Sequence, residues 1–132
     1  MPRLLAYVDS SAFVKLVATE PESAALGAAL DGWLLASSAL LEVEAVIAVR
    51  RRNPDEVRAV RELLRIVELV EIDGAVRRAA GDLTDPRLRA LDAIHLATAL
   101  SLGEHCSTVF AYDERLVAAA RAHGLSVTVP RP

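Results

Sequence analysis

Five short apolar runs recur along the chain, each separated from the next by a segment with helical periodicity, and this alternation restricts the fold more than any other feature. The runs are LLAYV at 4–8, WLLAS at 33–37, VELVEI at 67–72, TVFAY at 108–112 and SVTV at 126–129. Strands joined through helices cannot pair as tight hairpins; they pair in parallel, and the connecting helices cover the sheet. The expected architecture is a three-layer α/β/α fold with a central, mainly parallel sheet of four to five strands. With 132 residues, 53% of them hydrophobic, the chain fills one core, so a single domain over 1–132 is expected.

Helix signals fill the gaps between the runs. Ser10 or Ser11 can cap a helix to about Ala18, and Glu20-Pro21 breaks it before a second helix over 22–30. Ser37 or Ser38 can cap a third through Arg51, after which Asn53-Pro54 ends it and Asp55-Glu56 starts another toward Ile66. Asp73 caps a helix to Gly81, LRALDAIHLATAL at 88–100 forms a buried helix closed by Gly103, and Asp113 caps a last helix ending near Gly124.

Several function classes drop out on composition. No apolar run approaches the roughly 20 residues that a membrane span needs. The opening MPRLLAYVDSS lacks the long apolar region and cleavage site of a secretory leader. Cys106 is the only cysteine, which excludes an internal disulfide and a cysteine-based metal knuckle and agrees with a reducing, cytoplasmic setting. Its expected role is a buried, inert thiol. A net charge of -3 argues against coating nucleic acid by bulk charge. Local phosphate contacts are still open, since 14 of the 15 basic residues are arginines with their bidentate fork, a bias that genome base composition also explains.

The acids are placed where a parallel sheet concentrates function. Asp9 follows LLAYV and Asp113 follows TVFAY, so two strands deliver a carboxylate to the same edge. Glu44 lies about two turns into the helix that follows WLLAS, and Asp92 stands at or near the start of its own helix. Each has a plain alternative: Asp9 and Asp113 cap the next helix, for about 1 kcal/mol each, and Asp92 suits a helix first turn. Glu42 suits a solvated face, whereas Glu44 shares its direction with Ile47 and Ala48. His95, one turn beyond Asp92, reads as a hydrogen-bonded core histidine or, less readily, as a ligand. Taken as a set the acids demand more. Two carboxylates about 4 Å apart repel by roughly 4 kcal/mol at an effective dielectric near 20. A converging cluster must therefore raise its pKa values, separate its members with water, or hold a cation. A hard divalent ion, magnesium above all, matches oxygen ligands.

These residues resemble the PIN-domain ribonucleases, and among them the VapC-type toxins of toxin–antitoxin pairs. The likeness runs over nearly the whole chain: YVDSSAFVKLVATEPES at Asp9, ASSALLEVEAVIAVRRR at Glu44, LDAIHLATAL at Asp92 and FAYDERLVAAARAHGLSV at Asp113, in the family's order and spacing. One departure is Ala111, where the family often carries Thr or Ser two residues before the last Asp.

The resemblance implies a metal-dependent endoribonuclease in which magnesium, or manganese in its place, activates water for in-line attack on a phosphodiester, leaving a 5′-phosphate and a 3′-hydroxyl. Asp9 and Asp92 are then the principal metal carboxylates, Asp113 a further ligand or one acting through water, and Glu44 a water-positioning or second-metal acid. Ser10 and Ser11 orient Asp9 or a bound water and, with Arg50, Arg51 and Arg115, are the candidate substrate contacts. The RRR run at 50–52 equally complements a helix C-terminus, and Arg87 and Arg89 also lie near the acids in sequence. Arg115 has two open directions, toward phosphate or toward the solvent side of Glu114. Few aromatic residues are available for base stacking, which favours structured RNA such as tRNA or rRNA as the substrate, with mRNA still open. The implied partners are a VapB-type antitoxin lying across an apolar groove and, from apolar helices such as SAALGAALDGWLL, a second copy in a homodimer.

Rival readings lack their key residues. A receiver domain needs a late-strand Lys, but the only Lys is Lys15; a haloacid-type phosphatase needs an Asp where Ser11 stands; and no phosphate-binding GxxxxGK loop occurs. A catalytically inactive PIN-like module that binds RNA or protein is the remaining alternative.

Overall fold

The protein is described by a computed structural model over residues 5–132; Leu4, the first residue of the first predicted strand, and the rest of the N-terminal segment lie outside the described residues. In chain order the elements are β1 (Leu5–Val8), α1 (Ser10–Val17), α2 (Ser23–Leu30), β2 (Leu34–Ser38), α3 (Leu40–Arg52), α4 (Val57–Leu64), β3 (Val67–Val70), α5 (Gly74–Asp82), α6 (Ala90–Ser101), β4 (Cys106–Phe110), α7 (Glu114–Ala122) and β5 (Val127–Thr128). The sheet order is β3-β2-β1-β4-β5, and every pairing is parallel.

Side-chain alternation along β1 divides the core into two layers. Ala6 and Val8 face one side, where Phe13, Leu26, Leu30, Leu41, Val49 and Val60 pack from α1 to α4. Tyr7 faces the other, among Leu96, Ala99, Leu116 and Ala119 of α6 and α7, while Val76 and Ala80 of α5 pack on Ala97. The expected three-layer arrangement is what the chain adopts.

Boundaries depart from the sequence pattern where tertiary hydrogen bonds intervene. Ser37 and Ser38 belong to β2 and leave Ala39 at the start of α3; the Ser37 hydroxyl donates to the Val8 carbonyl at 2.5 Å, and Ser38 Oγ accepts from Leu40 N. β4 begins at Cys106 and ends at Phe110, because Tyr112 N donates to the Ser11 hydroxyl and leaves the ladder. β3 stops at Val70, where its partner β2 ends at Ser38. The helix expected over 55–66 is a 3₁₀ turn, Pro54–Glu56, followed by α4. Asp73 and Asp113 cap α5 and α7 as expected, and Gly124 closes α7 with φ +86, a left-handed conformation suited to glycine. The Cys106 thiol is half-buried rather than buried; what burial it has raises its pKa.

In this strand order the chain leaves β1 for β2 on one side and reaches β4 on the other only after β3, so connections diverge above β1 and β4. That divergence opens a crevice at the carboxyl ends of both strands.

Leu96, 1% exposed, anchors α6 to the sheet, whereas Leu91 on the same helix is 49% exposed. Leu96→Ala is expected to lower unfolding free energy by about 2–5 kcal/mol, and Leu91→Ala by less than about 0.5 kcal/mol, as read from urea denaturation.

Candidate active site

The four acids singled out above line one cleft of about 400 Å³ at the crevice, together with Ser10, Ser11, His95 and Arg115. Asp9 comes from the end of β1, Glu44 from α3, Asp92 from the first turn of α6 and Asp113 from the start of α7. Four separate segments thus meet at one edge of the sheet.

Asp9 is 3% exposed. It caps α1, accepting from Ala12 N at 2.9 Å, and it also accepts from the Ser11 hydroxyl at 2.7 and 2.8 Å. Ser11 in turn accepts from the backbone N–H groups of Tyr112 and Asp113, so one hydroxyl ties the end of β1 to the segment after β4. Burial raises the Asp9 pKa from 3.8 to about 6 despite these donors, and the Glu44 carboxylate adds to the rise. Ser10 also lines the cleft and is half-buried.

Glu44 and His95 join the two helical layers above the strand ends. His95 Nε2 lies 2.6 Å from Glu44 Oε1, and His95 Nδ1 lies 2.6 Å from the Tyr7 hydroxyl, which also accepts from Ser38 N. His95 is 3% exposed and Tyr7 is fully buried. The sequence reading of His95 as a hydrogen-bonded core histidine agrees with this, but that reading did not anticipate Glu44 or Tyr7 as its partners. The available signals were two. His95 follows Asp92 by three residues and so shares its helix face, and Tyr7 has the opposite strand parity to Ala6 and Val8.

Asp92 and Asp113 share a cation from the chain itself. Arg115 Nη2 lies 3.1 Å from Asp113 Oδ2, and Nε lies 3.6 Å from Asp92 Oδ2. Arg115 therefore faces the acids, settling the two directions left open by the sequence. Its buried Nε has no hydrogen-bond partner. Asp92 Oδ2 also accepts from Arg89 N at the helix start, and Asp113 Oδ1 from Arg115 N and Leu116 N.

Among the described residues, no three His, Cys, Asp or Glu side chains are close enough together to hold an ion directly. The four carboxylates on the wall of a roomy cleft instead fit a hard cation that keeps part of its water shell. The ion pairing of Arg115 with two of the acids, with Asp113 through a hydrogen-bonded Nη2 and with Asp92 through an Nε that lacks a hydrogen bond, marks a place where positive charge is favoured.

Other arginines are sorted by their partners. Arg87 pairs with Asp85, holding that carboxyl down to about 2, and Arg52 pairs with Glu20, which Lys15 also contacts. Arg50 is exposed, and Arg51 lines a wider groove of about 780 Å³ beside the acids. Val14, Leu40, Val43, Ile47 and Leu91 make that groove apolar; Val43, Ile47 and Leu91 are exposed. On α2, by contrast, Leu26 and Leu30 point into the core.

The raised Asp9 pKa carries a definite sign. Below about pH 4 the carboxyl is protonated both folded and unfolded; between about 4 and 6 the folded form keeps a proton that the unfolded chain has released, so stability falls as pH rises. The full cost above that window is roughly 3 kcal/mol. Asp9→Asn is therefore expected to stabilise the metal-free protein by roughly 1–3 kcal/mol at pH 7.5, with the difference vanishing near pH 4. Urea denaturation in EDTA at both pH values measures it, and a destabilised variant at pH 7.5 contradicts it.

A profile of the PIN domain family matches residues 6–122. The sequence is 41% identical over 131 residues to Ribonuclease VapC35 of Mycobacterium tuberculosis, covering 94% of this chain and 96% of that protein. It is 41% identical over 125 residues to Ribonuclease VapC46 of the same organism, with the same coverage. Among solved structures, M. tuberculosis VapC20, described as a sarcin-ricin loop cleaving toxin, superposes with TM-score 0.76 at 16% identity, over 96% of this chain and 99% of that one. A toxin–antitoxin complex from Klebsiella pneumoniae gives 0.73 at 20% identity, over 95% and 97%. At those identities the two structures speak to the fold, and the sequence matches speak to the family. With four acids of the expected order lining one cleft, the chain belongs to the PIN-domain family, in its VapC-type branch of ribonuclease toxins.

Proposed function

We propose that this chain is a divalent-metal-dependent endoribonuclease, using magnesium or in its place manganese, that acts as the toxin of a pair with a VapB-type antitoxin. The observation that carries the reading is the meeting of Asp9, Glu44, Asp92 and Asp113 at one crevice, in a chain whose curated relatives are ribonucleases.

Asp9, Asp92 and Asp113 would hold the cation, and Glu44, fixed by His95, orients the attacking water. When bound, the cation supplies Lewis-acid charge and makes water a better nucleophile at neutral pH. Ser11 holds the Asp9 carboxylate in place, and Ser10 lies beside it on the cleft wall. Arg115, which pairs with Asp92 and Asp113, would exchange them for a substrate phosphate, with Arg50 and Arg51 offering contacts farther along the backbone.

Base stacking is poorly supplied. Tyr7, Phe13 and Phe110 are buried, Trp33 is half-buried against the core, and the Tyr112 ring is covered by the Lys15 ammonium at 4.7 Å. Recognition through the shape and phosphates of a folded RNA, such as a tRNA or rRNA, follows from that shortage.

The apolar groove running up to Glu44 and Asp113 suits an amphipathic antitoxin segment whose basic side chain reaches the acids. A homodimer completes the proposed assembly, and a single domain over 1–132 houses the whole site. No helix among the described residues is long and apolar enough to cross a membrane.

Purified protein is expected to cleave RNA with magnesium, to stop in EDTA and to resume when metal is restored. Asp9→Asn, Asp92→Asn and Asp113→Asn should each lower kcat on the order of 100-fold or more. Metal-independent cleavage contradicts the mechanism, and no turnover at all favours the binding-module alternative. Separately, Ile47→Glu places a charge in the apolar groove and should weaken antitoxin binding by about tenfold or more, measured by titration calorimetry.

A further inference from the structure

One buried polar chain runs from the sheet to the cleft wall and is left unexplained by the cation chemistry. Ser38 N–H donates to the Tyr7 hydroxyl, the hydroxyl lies 2.6 Å from His95 Nδ1, and His95 Nε2 lies 2.6 Å from Glu44 Oε1. Tyr7 and His95 also meet edge to face, with centroids 5.8 Å apart and planes at 80°. A buried imidazole held at both nitrogens has one orientation and cannot rotate without breaking both contacts.

Hydrogen-bond bookkeeping then assigns the protons. The Tyr7 hydroxyl oxygen accepts from Ser38 N–H, and its own proton is free to donate. Ser37, the other hydroxyl beside Tyr7, directs its proton to the Val8 carbonyl. An O–H donating to a bare Nδ1 satisfies the short Tyr7–His95 contact. That leaves the imidazole proton on Nε2, where it donates to the Glu44 carboxylate. Each contact has one donor and one acceptor.

We infer that Tyr7 and His95 form a positioning relay that fixes the His95 tautomer and, through it, the orientation of the Glu44 carboxylate at the cleft. The relay rests on the proposed nuclease reading of the cleft. Neither residue touches the reacting atoms. Tyr7 and Ser38 are on the sheet, His95 on one helical layer and Glu44 on the other, so the relay references an acid from α3 to the strand ends that also carry Asp9. A carboxylate held in this way presents its remaining lone pairs in a set direction, as an outer-shell partner does for a ligand or base.

The test compares two amides in place of the ring. The side-chain nitrogen of Gln can reach the position of Nε2 and keep the donor to Glu44; that of Asn reaches only the position of Nδ1. Both remove the same ring, so lost packing is common to them. Full-length protein with magnesium and RNA should show His95→Asn lowering kcat about 10- to 100-fold with KM unchanged, and His95→Gln keeping kcat within about tenfold of the parent. In EDTA, nitrogen-15 NMR of the labelled imidazole should report a neutral Nε2–H tautomer, with Tyr7→Phe admitting the Nδ1–H form. A doubly protonated or Nδ1–H imidazole in the parent protein overturns the relay, as does equal kcat for the Asn and Gln variants. Asp9→Asn runs alongside: if it cleaves as fast as the parent, the nuclease reading of the cleft falls on its own account, whatever the imidazole shows.

Discussion

An ionisable carboxylate held out of water at the end of the central strand is the constraint around which this site is built. Asp9 is 3% exposed and stays partly protonated into the mildly acidic range because burial disfavours its charge. Two hydroxyl contacts and one backbone donor offset part of that penalty. The remainder is a standing preference for a proton or other positive charge beside the carboxylate, and it lowers the stability of the folded chain above that range. Where activity depends on such a group, stability is held below its optimum.

The same edge of the sheet binds the molecule's layers together. Ser11 links the β1 end to the backbone after β4, and the Glu44–His95 contact bridges helices packed on opposite faces. Apolar packing below is extensive but non-directional, whereas these few polar contacts are directional and short. They set the relative placement of the acids, while the core supplies most of the stability.

Charge on this protein is organised by partner, not by sum. A net charge of -3 conceals an acidic cleft with two arginines, Arg89 and Arg115, on its lining, an apolar groove with Arg51 and Lys15 on its wall, and arginines such as Arg87 tied to local acids. The cleft and the groove share Ser10, Ser11, Glu44, Leu91 and Asp113. An occupant of the groove would therefore abut the acids.

Much of this was legible in the residues. Strand–helix alternation specifies a parallel sheet because period-2 and period-3.6 patterns cannot exchange places, and Asp9 and Asp113, placed after strands, had to lie at one edge. Strand ends were less legible: β4 stops at Phe110 because a serine 101 residues earlier takes the next available N–H, and no local window contains that information. Arg115 was ambiguous for the same reason, since the helix pattern places it near Asp113 but says nothing of Asp92. The sequence by itself determined the layers, the order of the acids and the edge on which they fall, all consequences of local periodicity and chain direction. Only the tertiary structure decided which side chains answer one another across that edge: Tyr7 with His95, His95 with Glu44, Arg115 with two acids. Those pairings depend on distances between remote segments, and such distances exist only once the core has closed.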